Sequence, residues 1–144
     1  MIRAESLMVG DWVYGCTDPY SPDEEQKKYP VKVIKIDIDG DTWTIGNNPF
    51  TEPYEDEWWN LEPIPITPEI LEKNGFVQNP RSKSRRSHQI CTDSVYISWW
   101  RGRLNILFKP FIGHSTNHVN VDGKYVHELQ HALRVCGIEK DIVL

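Results

Sequence analysis

Apolar and polar residues alternate along much of this chain with a period of two, the spacing that sends successive side chains to opposite faces of a β-strand. The clearest run is Val31-Lys32-Val33-Ile34-Lys35-Ile36-Asp37-Ile38, which predicts a strand with one apolar and one charged face. Asp39-Gly40 is a hairpin turn signal, and Thr42-Trp43-Thr44-Ile45 supplies the returning strand before Gly46-Asn47-Asn48-Pro49 interrupts it. Upstream, Gly10-Asp11 leads into a strand at Trp12-Val13-Tyr14. Between them, Asp18 to Pro30 carries Pro19, Pro22, Pro30 and Asp23-Glu24-Glu25, and reads as a solvated loop.

The pattern changes at Glu62-Pro63-Ile64-Pro65-Ile66, where each proline holds its predecessor in extended backbone. Thr67-Pro68-Glu69 then supplies a helix cap, a proline at the first helical position and an early acid. The predicted helix runs from Pro68 to Asn74, with Gly75 ending it and Phe76 packing back onto Ile70 or Leu71. Asn79 to Ser87 has too few apolar residues to be held by packing and reads as a mobile loop. Val95-Tyr96-Ile97-Ser98-Trp99-Trp100, the turn Arg101-Gly102 and Arg103-Leu104-Asn105-Ile106-Leu107-Phe108 predict a second hairpin. A weaker strand at Asn117 to Val121 ends in Asp122-Gly123. From Lys124 to Cys136 the residues Tyr125, Val126, Leu129, Ala132, Leu133 and Cys136 recur at helical spacing and form one buried stripe, stopped by Gly137.

These elements predict a β-rich α+β protein: a small barrel-like β unit over residues 1–66, then residues 67–144 with a short linking helix and a second antiparallel sheet covered by the C-terminal helix. The 144 residues suffice for a real core, and 39% apolar with 26% charged residues excludes a disordered or collagen-like chain. No run approaches the ~18 apolar residues of a membrane span and no signal-peptide pattern opens the chain, so the expected location is the cytoplasm. Cys16, Cys91 and Cys136 are odd in number, far apart and without CxxC spacing. They read as small buried apolar residues in a reducing compartment, not as a disulfide frame or a cysteine zinc site.

Charge is unevenly distributed. The formal net charge is -5, yet residues 81–109 hold seven bases and one acid, whereas residues 1–62 hold 14 acids and five bases. Arg81, Lys83, Arg85 and Arg86 precede the hairpin that carries Trp99, Trp100, Arg101 and Arg103. Cations beside exposed aromatics are what phosphate contact and base stacking require, so this segment is the candidate contact for single-stranded nucleic acid or an acidic protein, against the plainer reading of a solvated loop in a chain whose acidic balance lacks the footprint of a dedicated nucleic-acid domain. Neighbours in a strand face opposite ways, so only one of Trp99 and Trp100 can be a stacking platform. The acidic cluster Glu52, Glu55, Asp56 and Glu57 next to Trp58-Trp59 has the ligand types of a metal or cation site, but reads first as a charged turn preceding a buried aromatic strand.

The sharpest chemical motif is His127-Glu128-Leu129-Gln130-His131, a literal HExxH on the predicted helix. In zinc peptidases the two histidines bind the metal and the Glu activates its water, which would make His127 and His131 ligands and Glu128 the base of a zinc-dependent hydrolase. At about 100° per residue the two histidines fall some 40° apart, nearly opposite the stripe centred on Leu129, where they can also simply face solvent. The extended HExxHxxGxxH pattern fails, because Arg134 and Gly137 stand where its Gly and third His belong. A third ligand would have to be Glu139, Asp141, His114 or His118. The expected reading is therefore a solvated helix face and a protein without a cofactor, with the zinc hydrolase as its competitor.

The order of segments resembles a family of uncharacterised small proteins encoded by bacteriophages and mobile elements of gut bacteria. The resemblance rests on Ala4-Glu5-Ser6-Leu7-Met8-Val9-Gly10-Asp11-Trp12-Val13, on Leu61 to Phe76, and on Tyr125-Val126-His127-Glu128-Leu129-Gln130-His131-Ala132-Leu133. The family's terminal pattern is similar to LHxLQN, with an amide at the position of His131, which speaks against an inherited zinc site. No activity is known for that family, so the resemblance implies a setting and not a mechanism. Together with the motifs above, the expectation is a non-catalytic accessory binding protein of a phage or mobile element, acting on a host or phage partner, protein or nucleic acid, in the bacterial cytoplasm.

Overall fold

The computed structural model describes residues 2–3, 6–16, 28–36, 42–46, 55–57, 61–80, 87–109 and 118–144. The chain divides into two compact units, Met1–Ile64 and Pro65–Leu144. Each is built on a five-stranded antiparallel sheet, and the fold class is α+β. Among the described residues no helix is long and apolar enough to cross a membrane.

The first sheet comprises β1 (Trp12–Cys16), β2 (Lys28–Ile36), β3 (Thr42–Gly46), β4 (Glu55–Glu57) and β5 (Leu61–Pro63), in the order β4-β3-β2-β1-β5. Alternation puts Val13, Val31 and Val33 on one face, where they bury with Leu7 and Leu61. The period-two pattern of β2 slips between Val33 and Ile34, and the structure places an irregularity of the ladder there, between Val33 and Lys35. Two expectations need correction. Lys28, Tyr29 and Pro30 belong to β2 instead of to a loop, paired with Cys16, Gly15 and Tyr14 of β1. The Val33 N–H donates to the Asp11 carbonyl on the β1 side, so by alternation the Pro30 nitrogen faces away from β1 and its missing N–H costs no bond to that strand. Glu55–Glu57 forms the edge strand β4 instead of a turn, paired with Trp43, Thr44 and Ile45. The expected loop at residues 18–27, the Asp39-Gly40 turn, Glu52 and Trp58-Trp59 lie outside the described residues.

The second unit opens with α1 (Pro68–Lys73). Thr67 is its N-cap, its side-chain oxygen accepting from the Ile70 N–H at 3.3 Å. The backbone N–H of Glu69 and the Thr67 side chain hold the Glu69 carboxyl below its ordinary pKa. That support for the first turn is present at neutral pH and is lost as acid protonates the group. At the other end the N–H groups of Gly75 and Phe76 donate to the carbonyls of Glu72 and Leu71, a Schellman motif made possible by the positive φ of Gly75. Phe76 is buried as expected. Asn74, which read as a plain helix end, is wholly buried and ties down the C-terminal segment. Its Nδ2 donates to the Ile70 and Val143 carbonyls at 2.7 and 2.8 Å, and its Oδ1 accepts from the Val143 N–H at 3.0 Å.

The second sheet comprises β6 (Val77–Gln78), β7 (His88–Cys91), β8 (Val95–Trp100), β9 (Arg103–Phe108) and β10 (His118–Asp122), in the order β10-β9-β8-β7-β6. The β8–β9 hairpin and β10 lie where the alternation predicts them, whereas β6 and β7 are additions. α2 (Val126–Val135) covers the face that carries Val95, Ile97, Leu104 and Ile106, with Val126, Leu129, Ala132 and Leu133 buried. Its buried surface is wider than the predicted stripe and takes in His127 and Gln130.

Candidate functional site

Two places in the second unit carry the residues singled out by sequence. The first is the tip of the β8–β9 hairpin. Arg101 and Gly102 have φ of 49° and 76°, so both central turn residues are left-handed, the type I′ geometry that matches strand twist. Gly suits that backbone and Arg does not, and holding Arg101 there costs on the order of 1 kcal/mol or more. The guanidinium carbon lies 5.1 Å from the centroid of the Trp100 ring, within cation–π range. Trp100 is 38% exposed, and Arg101 and Arg103 are exposed with it.

Trp99 faces the other way. It shares the inner face with its register partners Leu104 and His88, and its Nε1–H donates to the Gly123 carbonyl at 2.6 Å. It is a structural anchor that fixes the chain leading into α2, and it cannot serve as a platform on the outer face. Lys124, which sequence reasoning did not select, joins the tip. A Cβ at Gly102 would stand 2.9 Å from Lys124 Cγ, so the lysine stem runs against the turn. Arg81, Lys83, Arg85 and Arg86 lie outside the described residues, as does most of the expected mobile loop. Its roots are described: the Asn79 N–H donates to the Ser87 carbonyl at 2.9 Å, and the next residue, His88, pairs with Trp99. Asn79 and Ser87, the described residues that flank the basic segment, therefore lie at the end of the sheet where Trp100 and Arg101 sit.

The second place is the HExxH. Glu128 at the third position of α2 turns back to the start of its own helix, its Oε2 accepting the backbone N–H groups of Lys124 at 2.7 Å and Tyr125 at 3.0 Å. His127 corrects the solvated-face expectation: it is only 5% exposed, stacked on Tyr125 with centroids 5.9 Å apart and planes within 7°. His131 is partly exposed and meets His127 edge-on at 5.9 Å. Of the possible third ligands, Glu139 and Asp141 lie beyond α2, His118 is on β10 and His114 is outside the described residues. Among the described residues no group of three or more His, Cys, Asp or Glu is placed to hold a metal ion.

No known protein family, curated protein or solved structure matches this chain.

Beside α2 lies an open apolar cavity of about 310 Å³, walled by Ile106, Phe108, Val119, Val121, Ala132 and Val135, with Asp122, Glu128 and His131 as its polar members. Two of the three cysteines also need correction, and the Cys16 side chain lies outside the described residues. Cys91 is exposed at the end of β7, and the Lys109 ammonium donates to its Sγ at 2.9 Å and to the Thr92 carbonyl at 2.8 Å. Cys136 is half-buried, and that burial pushes its thiol pKa up, leaving less of the reactive thiolate. Iodoacetamide is expected to modify Cys91 well before Cys136 in the folded protein. Peptide mapping of a time course checks this, and equal rates at the two sites would contradict it.

Proposed function

We propose that the protein is a non-catalytic binding module, an accessory protein of a phage or mobile element in the bacterial cytoplasm, whose β8–β9 hairpin contacts an anionic host or phage partner. The observation that carries this reading is the Trp100–Arg101 pair: an exposed ring with a guanidinium over it, on a turn whose backbone is strained to hold an arginine. Strain of this kind is retained where the side chain has a use. Arg103 pairs with Trp100 across the hairpin, the Lys124 stem lies against the turn, and Asn79 and Ser87, which flank the stretch with four more cations, lie at the same end of the sheet. Glu128, the residue a hydrolase would need as its base, is occupied as a helix cap, which supports binding over catalysis.

Single-stranded nucleic acid is the partner this combination fits best, since stacking on one ring and phosphate contacts by several cations need no sequence readout. Affinity for a fluorescent single-stranded oligonucleotide is expected to fall steeply between about 50 and 200 mM salt through counterion release. Trp100→Ala should cost about 1 to 3 kcal/mol of binding. Replacing Arg85 and Arg86 together should flatten the salt slope by about one unit per lost phosphate contact, with the stacking contribution unchanged. Absence of binding at the lower salt removes nucleic acid and leaves an acidic protein surface as the partner.

A further inference from the structure

The outer strands of the two sheets differ in how they are protected. In the first unit β4 is Glu-Asp-Glu and β5 carries Pro63, and in the second β6 is only two residues long. Charge, proline and brevity are the usual means of keeping a sheet edge from pairing with another chain. β10, His-Val-Asn-Val-Asp, has five residues, no lysine and no proline, and among the described residues it is the outer strand of its sheet.

The direction of its main-chain groups follows from one bond. The Gly123 N–H donates to the Gly102 carbonyl at 3.0 Å, one step beyond the Asp122↔Arg103 pair. Antiparallel pairs alternate between hydrogen-bonded and non-bonded, so Val121↔Leu104 and Val119↔Ile106 are the bonded pairs with β9. The N–H and C=O of Asn120 and Asp122 therefore point outward, along the edge.

We propose that β10 pairs antiparallel with β10 of a second copy of this chain, about a two-fold axis through Asn120, joining two five-stranded sheets into one. The strand is self-complementary in that register. Asn120 faces the partner's Asn120, Val119 faces the partner's Val121, and His118 faces the partner's Asp122, twice over by symmetry. Sliding one strand by two residues sets Asp122 against the partner's Asn120, and sliding it by four sets the two Asp122 carboxylates opposite each other. Of these registers only the first sets His118 opposite Asp122 at both ends of the strand. On the outer face Asn120 Oδ1 already accepts from Asn105 Nδ2 at 2.8 Å, which continues a row of asparagines towards the axis. On the inner face Phe108, Val119 and Val135 are 37%, 47% and 77% exposed along the apolar cavity, and the second copy brings the same strip across the axis.

Sedimentation velocity from about 1 µM to 1 mM, which spans weak to moderate affinities, is expected to show the mass rising from 16.8 kDa towards twice that value. Asn120→Pro removes an outward N–H and spares the bonds to β9, and should raise Kd tenfold or more with the circular dichroism unchanged. His118→Glu and Asp122→Lys should each weaken self-association, yet the two variants mixed in equal amounts should form a heterodimer, because one axis-related pair then sets the introduced carboxylate against the introduced ammonium while the other keeps His118 opposite Asp122. A wild-type chain monomeric throughout the range overturns the proposal. So does a dimer indifferent to Asn120→Pro, or a mixture that associates no better than its components.

Discussion

Asn74→Ala is expected to lower the stability of the second unit by roughly 3 kcal/mol, the sum of three side-chain hydrogen bonds at about 1 kcal/mol each. The bonds are those to the Ile70 carbonyl and to both backbone groups of Val143. The effect should be local before it is global. Residues 138–144 have no regular secondary structure, and they are held to α1 by Asn74, by Lys140 Nζ on the Asn74 carbonyl and by Lys73 Nζ on the Leu144 carbonyl. Buried Ile142 is the apolar part of the same clasp. Without the amide, the Val143 N–H and C=O lose their partner, so hydrogen exchange over 138–144 should accelerate well ahead of α2. Asn74→Asp should be at least as damaging, because it replaces two donors with a carboxylate facing two carbonyls. At about 4 to 8 °C per kcal/mol for a unit of this size, Asn74→Ala should drop the thermal midpoint by more than 10 °C. A midpoint within about 2 °C of wild type would mean that the clasp contributes nothing.

The importance of Asn74 was not legible in the sequence, because an amide at a helix end looks alike whether it faces water or grips a segment 69 residues away. Local signals fared better. Thr67-Pro68 and Gly75 place both ends of α1 because capping is a contract between near neighbours. The slip from Val31 and Val33 to Ile34 and Ile36 already contains the ladder irregularity of β2, although a strict period-two reading passes over it. β7 escaped prediction because His88-Gln89-Ile90-Cys91 has no alternation of its own. It becomes a strand by pairing with β8, and the buried His88 is tolerated beside Trp99 with Glu72 Oε1 3.3 Å from its Nε2. At the candidate site, the hairpin and its cations were readable, whereas the choice of Trp100 over Trp99 depended on the register of the whole sheet. Counting back from Leu104, a core residue, would have made that choice.

Along α2 the expected order of stability loss is Leu129→Ala first, His127→Ala second, Glu128→Ala third and His131→Ala last. Leu129 is wholly buried, and truncating it should cost about 2 to 5 kcal/mol as a core cavity. His127 loses a 5%-exposed ring stacked on Tyr125, so its truncation should cost about 1 to 3 kcal/mol, the range of ordinary destabilising changes at buried positions. Glu128→Ala releases two backbone N–H groups at the helix start, worth about 0.5 to 2 kcal/mol as a lost cap, and Glu128→Gln should recover part of it because an amide oxygen still accepts. His131 is partly exposed, and its removal should cost about 0.5 kcal/mol or less. Urea denaturation of the four variants measures the order. A zinc hydrolase would invert it in one respect: His131→Ala would then be among the costly changes, because a metal bound to the folded state adds its binding free energy to stability. Elemental analysis of the purified protein alongside the denaturation curves separates the two readings. Stoichiometric zinc together with a large His131→Ala loss would overturn the structural role assigned to this helix.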